Sequence, residues 1–381
     1  MAIKSEGRNI RFTQIKIGTS LLLLLLLLVI PIFQEGKTEE VDNLVSAKNE
    51  LSLNWKKLDY SDFGYTQHED ETQINIYDNG NAQIAVYHAE TPYMSYYNKE
   101  TEEWTVVDST WWEHGAPEIL WAGDGVFLAK ITGIANIISS TDGITWNNAG
   151  YSENAQNAMT TGAYDNEKGV GVVSWFYNKK PLYYSSDSLT ERTEWTLVAG
   201  TEDTPVPFFK YLTAHKGSFV GVVGGDKSIA VANPTNLEKW TTTIPENKDE
   251  NRYMFIRSVN DKLFVMKYQY KNDKYHVNLS VLNDEATKLT KTNLSHIGDL
   301  ADNNIPNPQN IIWMEEWQKY ALFNEDMLYV SDDGLTWEGI EQEDFTTTKY
   351  DTFGGAIYVP GDGFYVKASG YVYYAPYAKE M

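Results

Sequence analysis

The sequence predicts an all-β fold: a seven-bladed β-propeller with four-stranded blades, closed by its own amino-terminal strand and preceded by an apolar segment. Three observations predict it. A tryptophan-bearing turn recurs at intervals of 42–49 residues, the length that four short strands and their turns require. Aromatics are abundant, with 26 Tyr, 14 Phe and 12 Trp against 12 Pro, which suits many half-buried strands joined by turns. The last repeat falls one strand short, and a matching strand stands at the other end of the chain.

The amino-terminal segment comes first. Ile17 to Phe33 is an almost unbroken apolar run, including Leu21 to Leu28, preceded by Lys4, Arg8, Arg11 and Lys16 and followed by Glu35, Glu39, Glu40 and Asp42. Basic flanks stay in the cytoplasm, so residues 1–16 are expected inside and everything after Phe33 outside. Residues 17–33 read as a transmembrane anchor helix or a signal sequence. No small-x-small cleavage pattern follows, which favours the anchor and a single-pass cell-membrane protein; cleavage would make it secreted. Residues 34–50 read as a flexible tether and 51–381 as the propeller.

Composition narrows the setting. The chain has no cysteine, so disulfides, thiolate metal sites and cysteine nucleophiles are excluded, and an exported chain of this kind points to a bacterium. The formal charge is −22, and the surface it implies repels phosphate, so nucleic acid is not an expected partner.

The repeat is clearest in two copies. Ser331-Asp332-Asp333-Gly334-Leu335-Thr336-Trp337 matches Ser140-Thr141-Asp142-Gly143-Ile144-Thr145-Trp146 position for position. A third copy keeps Ser185, Asp187 and a late Trp195; a fourth runs from Asn233 to Trp240; a fifth, from Asn283, has Leu289 in place of tryptophan. With Trp55 and Trp104, the aligned positions are seven: 55, 104, 146, 195, 240, 289 and 337. Asp and Gly suit a tight hairpin, Ser and Thr bond locally, and the following tryptophan packs between sheets. Upstream runs such as Glu118–Ala122, Val126–Ile131 and Asn136–Ser139 supply inner strands. After Trp337 there is sequence for three strands, and Leu53–Leu58 supplies the fourth, which removes two exposed sheet edges.

These turns resemble the Asp-box, or bacterial neuraminidase repeat, family, which includes sialidases, sortilin-type receptors, some glycoside hydrolases and a photosystem assembly factor. The resemblance implies a sialidase-like propeller in which Ser140, Asp142, Gly143, Thr145, Trp146, Ser185, Asp187, Trp195, Ser331, Asp333, Gly334, Thr336 and Trp337 are structural. Sialidases of this family hold a carboxylate with three arginines. After the apolar segment this chain has only Arg192, Arg252 and Arg257. Arg192 falls in a box hairpin, and Phe255-Ile256-Arg257-Ser258 lacks the proline of the family's motif, so sialidase activity is not expected.

If the box hairpins join third to fourth strands, the longer loops and interblade links lie on the opposite face, where a rigid scaffold usually displays function. Trp111, Trp112, Trp175, Phe176, Tyr177, Tyr268 and Tyr270 are expected there beside carboxylates, a combination that binds sugars by stacking or anchors a peptide. The six histidines have no metal-motif spacing and are expected to be surface or satisfied residues. Asp299, Asp302, Asn303 and Asn304 lack the EF-hand pattern. No cofactor motif is present, and no metal or cofactor is expected. The expected function is a membrane-anchored extracytoplasmic binding module for a glycan, cell-wall polymer or protein; the alternative is a glycoside hydrolase on the same scaffold.

Overall fold

A computed structural model describes residues 53–65, 73–88, 93–107, 117–131, 136–151, 159–175, 182–185, 189, 195–197, 209–223, 228–245, 251–271, 274–299, 310–324, 327–342, 355–368 and 371–376. The segments 1–16, 17–33 and 34–50 lie outside them. Among the described residues no helix is long and apolar enough to cross a membrane.

The strands are β1 (Lys56–Leu58); β2 (Gln73–Asp78), β3 (Gln83–His88), β4 (Tyr93–Asn98) and β5 (Glu103–Val106); and β6 (Pro117–Gly123), β7 (Val126–Ile131), β8 (Asn136–Ser140) and β9 (Asn147–Tyr151). Next come β10 (Met159–Asp165), β11 (Val170–Trp175), β12 (Leu182–Ser185) and β13 (Thr196–Leu197), then β14 (Phe209–His215), β15 (Ser218–Val223), β16 (Ser228–Ala232) and β17 (Thr241–Ile244). They are followed by β18 (Asn251–Val259), β19 (Lys262–Lys271), β20 (Lys274–Leu282) and β21 (Leu289–Asp299), and by β22 (Ile311–Met314), β23 (Lys319–Asn324), β24 (Met327–Ser331) and β25 (Glu338–Glu341). The last are β26 (Ala356–Val359), β27 (Gly363–Ala368) and β28 (Tyr371–Pro376).

Each sheet is a four-stranded antiparallel meander, and there are seven: six built from consecutive quartets and one in the order β1-β28-β27-β26. Lys56, Lys57 and Leu58 pair with Tyr374, Tyr373 and Val372, so the amino-terminal strand completes the last sheet. The innermost strands touch in a cycle, β2 to β6, β10, β14, β18, β22, β26 and back to β2. This is a β-propeller.

The core is divided into slabs between adjacent sheets. One slab joins Ile84, Val86 and Met94 to Phe127, Ile138 and Trp146; another joins Phe264, Met266 and Leu279 to Ile311, Leu322 and Trp337. Between the first and last sheets Ile74, Ile76 and Trp104 meet Ile357, Tyr365 and Val372. Middle strands are therefore covered on both faces and read as continuous apolar runs such as Val126–Ala129, without the alternation of a half-exposed strand.

The two complete boxes fold alike. Ser140 Oγ accepts the Gly143 N–H at 2.8 Å and donates to Asp142 Oδ1 at 3.0 Å. That same carboxylate oxygen accepts the Ile144 and Thr145 N–H groups at 2.8 Å each. Burial works to raise the Asp142 pKa, but these donors outweigh it and hold the carboxyl below its ordinary range. The second box repeats the set with Ser331, Asp333, Gly334, Leu335 and Thr336 at 2.7–3.1 Å. Gly143 and Gly334 have φ of 75° and 69°, a region glycine enters without a Cβ penalty. Each box tryptophan donates its indole N–H to its own glycine carbonyl, at 3.1 Å for Trp146 and 3.0 Å for Trp337.

Decay of the motif is visible in the bonds. Trp195 donates instead to Ala149 O of the preceding sheet at 2.7 Å, while the indole nitrogens of Trp104 and Trp240 have no hydrogen-bond partner among the described residues. In the fifth copy Ala286 stands where the boxes have glycine and keeps φ at 54°; Asn283 Oδ1 caps that turn by accepting the Thr287 and Lys288 N–H groups.

Candidate functional site

The turns between first and second strands converge on the propeller axis, and the box hairpins share their face. Asn79, after β2, donates through Nδ2 to Thr141 O in the box turn of the next sheet at 3.2 Å. Its carbonyl accepts the Gly125 N–H from the next inner turn at 2.7 Å. Around the axis these turns enclose a cavity of about 730 Å³, to which every sheet contributes wall residues. A narrower chamber of about 200 Å³, walled largely by inner-strand residues such as Ile76, Leu120, Leu212 and Ile357, shares Asp78, Trp121, Ala122, Arg257 and Ala356 with it.

The cavity wall is polar and of mixed charge. Asp78 accepts the Gly80 N–H at 2.7 Å and the Gln83 amide at 3.2 Å. Burial in the channel nonetheless pushes its carboxyl above the ordinary range, against those donors and the nearby cations Arg257 and Lys99. Burial likewise lowers the Arg257 guanidinium to about 10, with Asp78 opposing. At that value arginine is still charged at neutral pH. Gln83 is 1 % exposed, and its Oε1 has no hydrogen-bond partner among the described residues. At the rim, partial withdrawal from water and the neighbouring Asp165 and Glu167 push the Asp124 carboxyl up to about 6. Trp121 and Trp313 also line the wall, their indoles donating to Gly123 O at 3.1 Å and Glu315 Oε2 at 2.7 Å.

The aromatics singled out from sequence are placed unequally. Trp111, Trp112, Phe176 and Tyr177 lie outside the described residues, as does Asp187 of the third box. Trp175 ends β11, and Tyr270 pairs with Tyr275 near the β19–β20 turn, so the backbone puts both toward the face opposite the boxes. Tyr268 is partly buried against the slab containing Val277, Leu279 and Ile311. Among the described residues no group of three His, Asp or Glu side chains is placed to hold a metal. The described cavity is on the box side of the disc. Asp78, Gln83 and Lys99 are not among the residues the sequence singles out, and His215 is expected from sequence to be a surface or satisfied residue; the signal that picks them out is position within the repeat, at or beside strand ends on the box face.

No protein-family model matches the chain, and no curated protein does. Solved structures with the same fold do. YCF48 bound to D1 peptide has a TM-score of 0.51 at 10 % identity, with 85 % of this chain and 95 % of that one covered. A catalytically inactive virginiamycin B lyase from Staphylococcus aureus with quinupristin has a TM-score of 0.54 at 10 % identity, covering 85 % and 99 %. The extracellular domain of the hybrid two-component system BT3049 from B. thetaiotaomicron has a TM-score of 0.52 at 11 % identity, covering 86 % of this chain and 42 % of that one. At these identities the likeness establishes the β-propeller fold.

Proposed function

We propose that the chain is a membrane-anchored, extracytoplasmic binding module whose ligand enters the axial cavity. The observation that carries this reading is a roomy polar mouth with Arg257, Asp78 and the unsatisfied Gln83 amide oxygen in its wall. Such convergent polar groups in a preformed concavity are the usual mark of a ligand site. A peptide offers alternating donors and acceptors for this wall, and a propeller of the same fold has been solved with a peptide bound. A glycan is the second reading, supported by Trp121 and Trp313 beside carboxylates. Glycoside hydrolysis would draw on Asp124, whose carboxyl, raised to about 6, lies in the range of a general acid. The anchor rests on the apolar run Ile17–Phe33 and its basic flank; protease added to intact cells should degrade residues 51–381 if that orientation holds.

A screen of residues 45–381 against peptide and cell-wall glycan arrays, following both retention and product release, tests the function. One class should be retained without turnover. Arg257→Gln or Trp313→Ala should weaken it tenfold or more, about 1.4 kcal/mol, with little change in melting temperature. Trp112→Ala and Trp175→Ala test the other face. No retained ligand, or one whose affinity no cavity variant alters, would overturn this reading.

A further inference from the structure

Three side chains from adjacent sheets form a relay at the cavity wall. His215 closes β14, Ser258 lies near the end of β18 in the next sheet, and Asp284 stands in the turn between β20 and β21. His215 Nδ1 is 2.8 Å from Ser258 Oγ, and His215 Nε2 is 3.4 Å from Asp284 Oδ1. His215 and Ser258 both line the 730 Å³ cavity.

Elementary chemistry fixes the direction of these bonds. An ionised carboxylate can only accept, so Nε2 carries the ring proton and points it at Asp284; in a neutral imidazole Nδ1 is then an acceptor, and Ser258 must donate its hydroxyl proton to it. Both conditions are met. Bonds from Lys216 Nζ (2.8 Å) and His215 hold the Asp284 carboxyl below its ordinary range. Burial, at 4 % exposure, pushes His215 below its ordinary value despite Asp284. A serine hydroxyl aimed at a neutral imidazole, itself oriented by a carboxylate, is the arrangement that activates a nucleophile. The 3.4 Å contact is loose, as such bonds often are before substrate binds.

A staple between sheets is the competing explanation, because Asn79 joins an inner turn to the next box turn in the same way. A staple of that kind would account for the His215–Asp284 half of the relay. It does not require a hydroxyl on the cavity side of the ring.

We propose that Ser258, His215 and Asp284 give the cavity acyl-transfer activity toward small carboxylic esters. Ser258 Oγ adds to the ester carbonyl carbon as its proton passes to His215 Nδ1. The carbon–oxygen bond to the alcohol breaks, and the alcohol leaves with that proton. Water entering the cavity then attacks the acyl-serine by the same route, releasing the acid and restoring the serine hydroxyl. Ester and water give acid and alcohol, and no redox partner is needed. Asp284 is a positioning residue.

This activity goes beyond the binding reading, and its test is independent of any natural ligand. The purified full chain is treated with a fluorophosphonate, whose phosphorus bonds to an activated serine oxygen as fluoride leaves. Peptide mass mapping should find one adduct, on Ser258, absent from Ser258→Ala. General-base loss in His215→Gln should slow labelling by about 10²–10⁴-fold. Because His215 is buried and its variant risks misfolding, the exposed Asp284→Asn is the second variant: labelling should slow about tenfold or more while the melting temperature stays near that of the parent. Asp284, Lys216 and Asp261 are the charged groups that act on His215, and protonation of the ring on acidification should abolish labelling. Absence of a Ser258 adduct, or an adduct formed at a rate that neither Asp284→Asn nor acid changes, would overturn the proposal. Ligand retention without an adduct would defeat it and leave the binding reading in place.

Discussion

Trp337→Ala should destabilise the propeller by about 3–5 kcal/mol while leaving ligand retention in the surviving folded protein unchanged. Trp337 is 4 % exposed and sits in the slab with Phe264, edge-on at 6.1 Å between ring centroids. Its indole N–H satisfies Gly334 O. Its backbone is clamped from the preceding sheet by Asn293, which accepts the Trp337 N–H and donates to the Trp337 carbonyl, both at 2.8 Å. Alanine would leave a cavity between two sheets and a bare glycine carbonyl. Trp146→Ala should behave alike, since Trp146 is 7 % exposed and stacks near Phe127. A matching loss should come from Gly143→Ala, whose Cβ would lie 2.6 Å from Ile84 Cγ2 at a positive φ. Denaturant unfolding of the three variants checks this. Parental stability together with lost ligand binding would mean that the box tryptophans belong to a site and not to the core.

Deleting residues 51–60 should have a still larger effect, because it takes away a whole strand and not one side chain. β1 is short, but it covers the edge of β28 through three residue pairs and brings in buried Leu53 and Leu58. It also positions Trp55, which donates to Gln342 Oε1 at 2.9 Å and meets Phe323 edge-on at 5.6 Å, and it leads into Tyr60, packed on Tyr87 at 5.3 Å. Losing them uncovers an edge strand rich in tyrosine, a template for pairing with a second chain. The truncated fragment should aggregate or melt well below a fragment starting at residue 45. Equal solubility and melting temperature would exclude a structural role for β1.

Much of the architecture was legible because the repeat writes it out. Trp55, Trp104, Trp146, Trp195, Trp240, Leu289 and Trp337 each fall in an outermost strand or immediately before one. Val126–Ile131 coincides with β7, and Asn136–Ser139 stops one residue short of the end of β8. Glu118–Ala122 misses Pro117 and Gly123 at the ends of β6, where a bulge between Ile119 and Trp121 breaks the register. At the amino end, Leu53–Leu58 contracts to Lys56–Leu58, since only those residues find partners on β28. The site was far less legible. His215 and Ser258 are separated by 43 residues and His215 and Asp284 by 69, so no local motif joins them. The first of those separations equals one blade, and in a propeller residues one repeat apart face each other across adjacent sheets. Reading the chain in register with its own period brings His215 to Ser258; spacing within a helix or a metal motif does not. The aromatic clusters around Trp111 and Trp175 were conspicuous by composition alone, which cannot distinguish a binding face from packing between sheets.

β1 and β28 pair to close the ring of sheets around the axial cavity, and a single cross-link puts that pairing to the test. The chain has no cysteine, so a double variant Lys57→Cys, Tyr373→Cys carries only the pair of interest, at positions directly opposite in the sheet and within disulfide reach. Mild oxidation should convert it to an intramolecularly bridged monomer with a raised melting temperature. The control pair Lys57→Cys, Tyr371→Cys, displaced by two residues along β28, should bridge far more slowly. Bridging of the control in preference to the direct pair, or bridges only between separate chains, would contradict the closure and with it the cavity on which the functional reading stands.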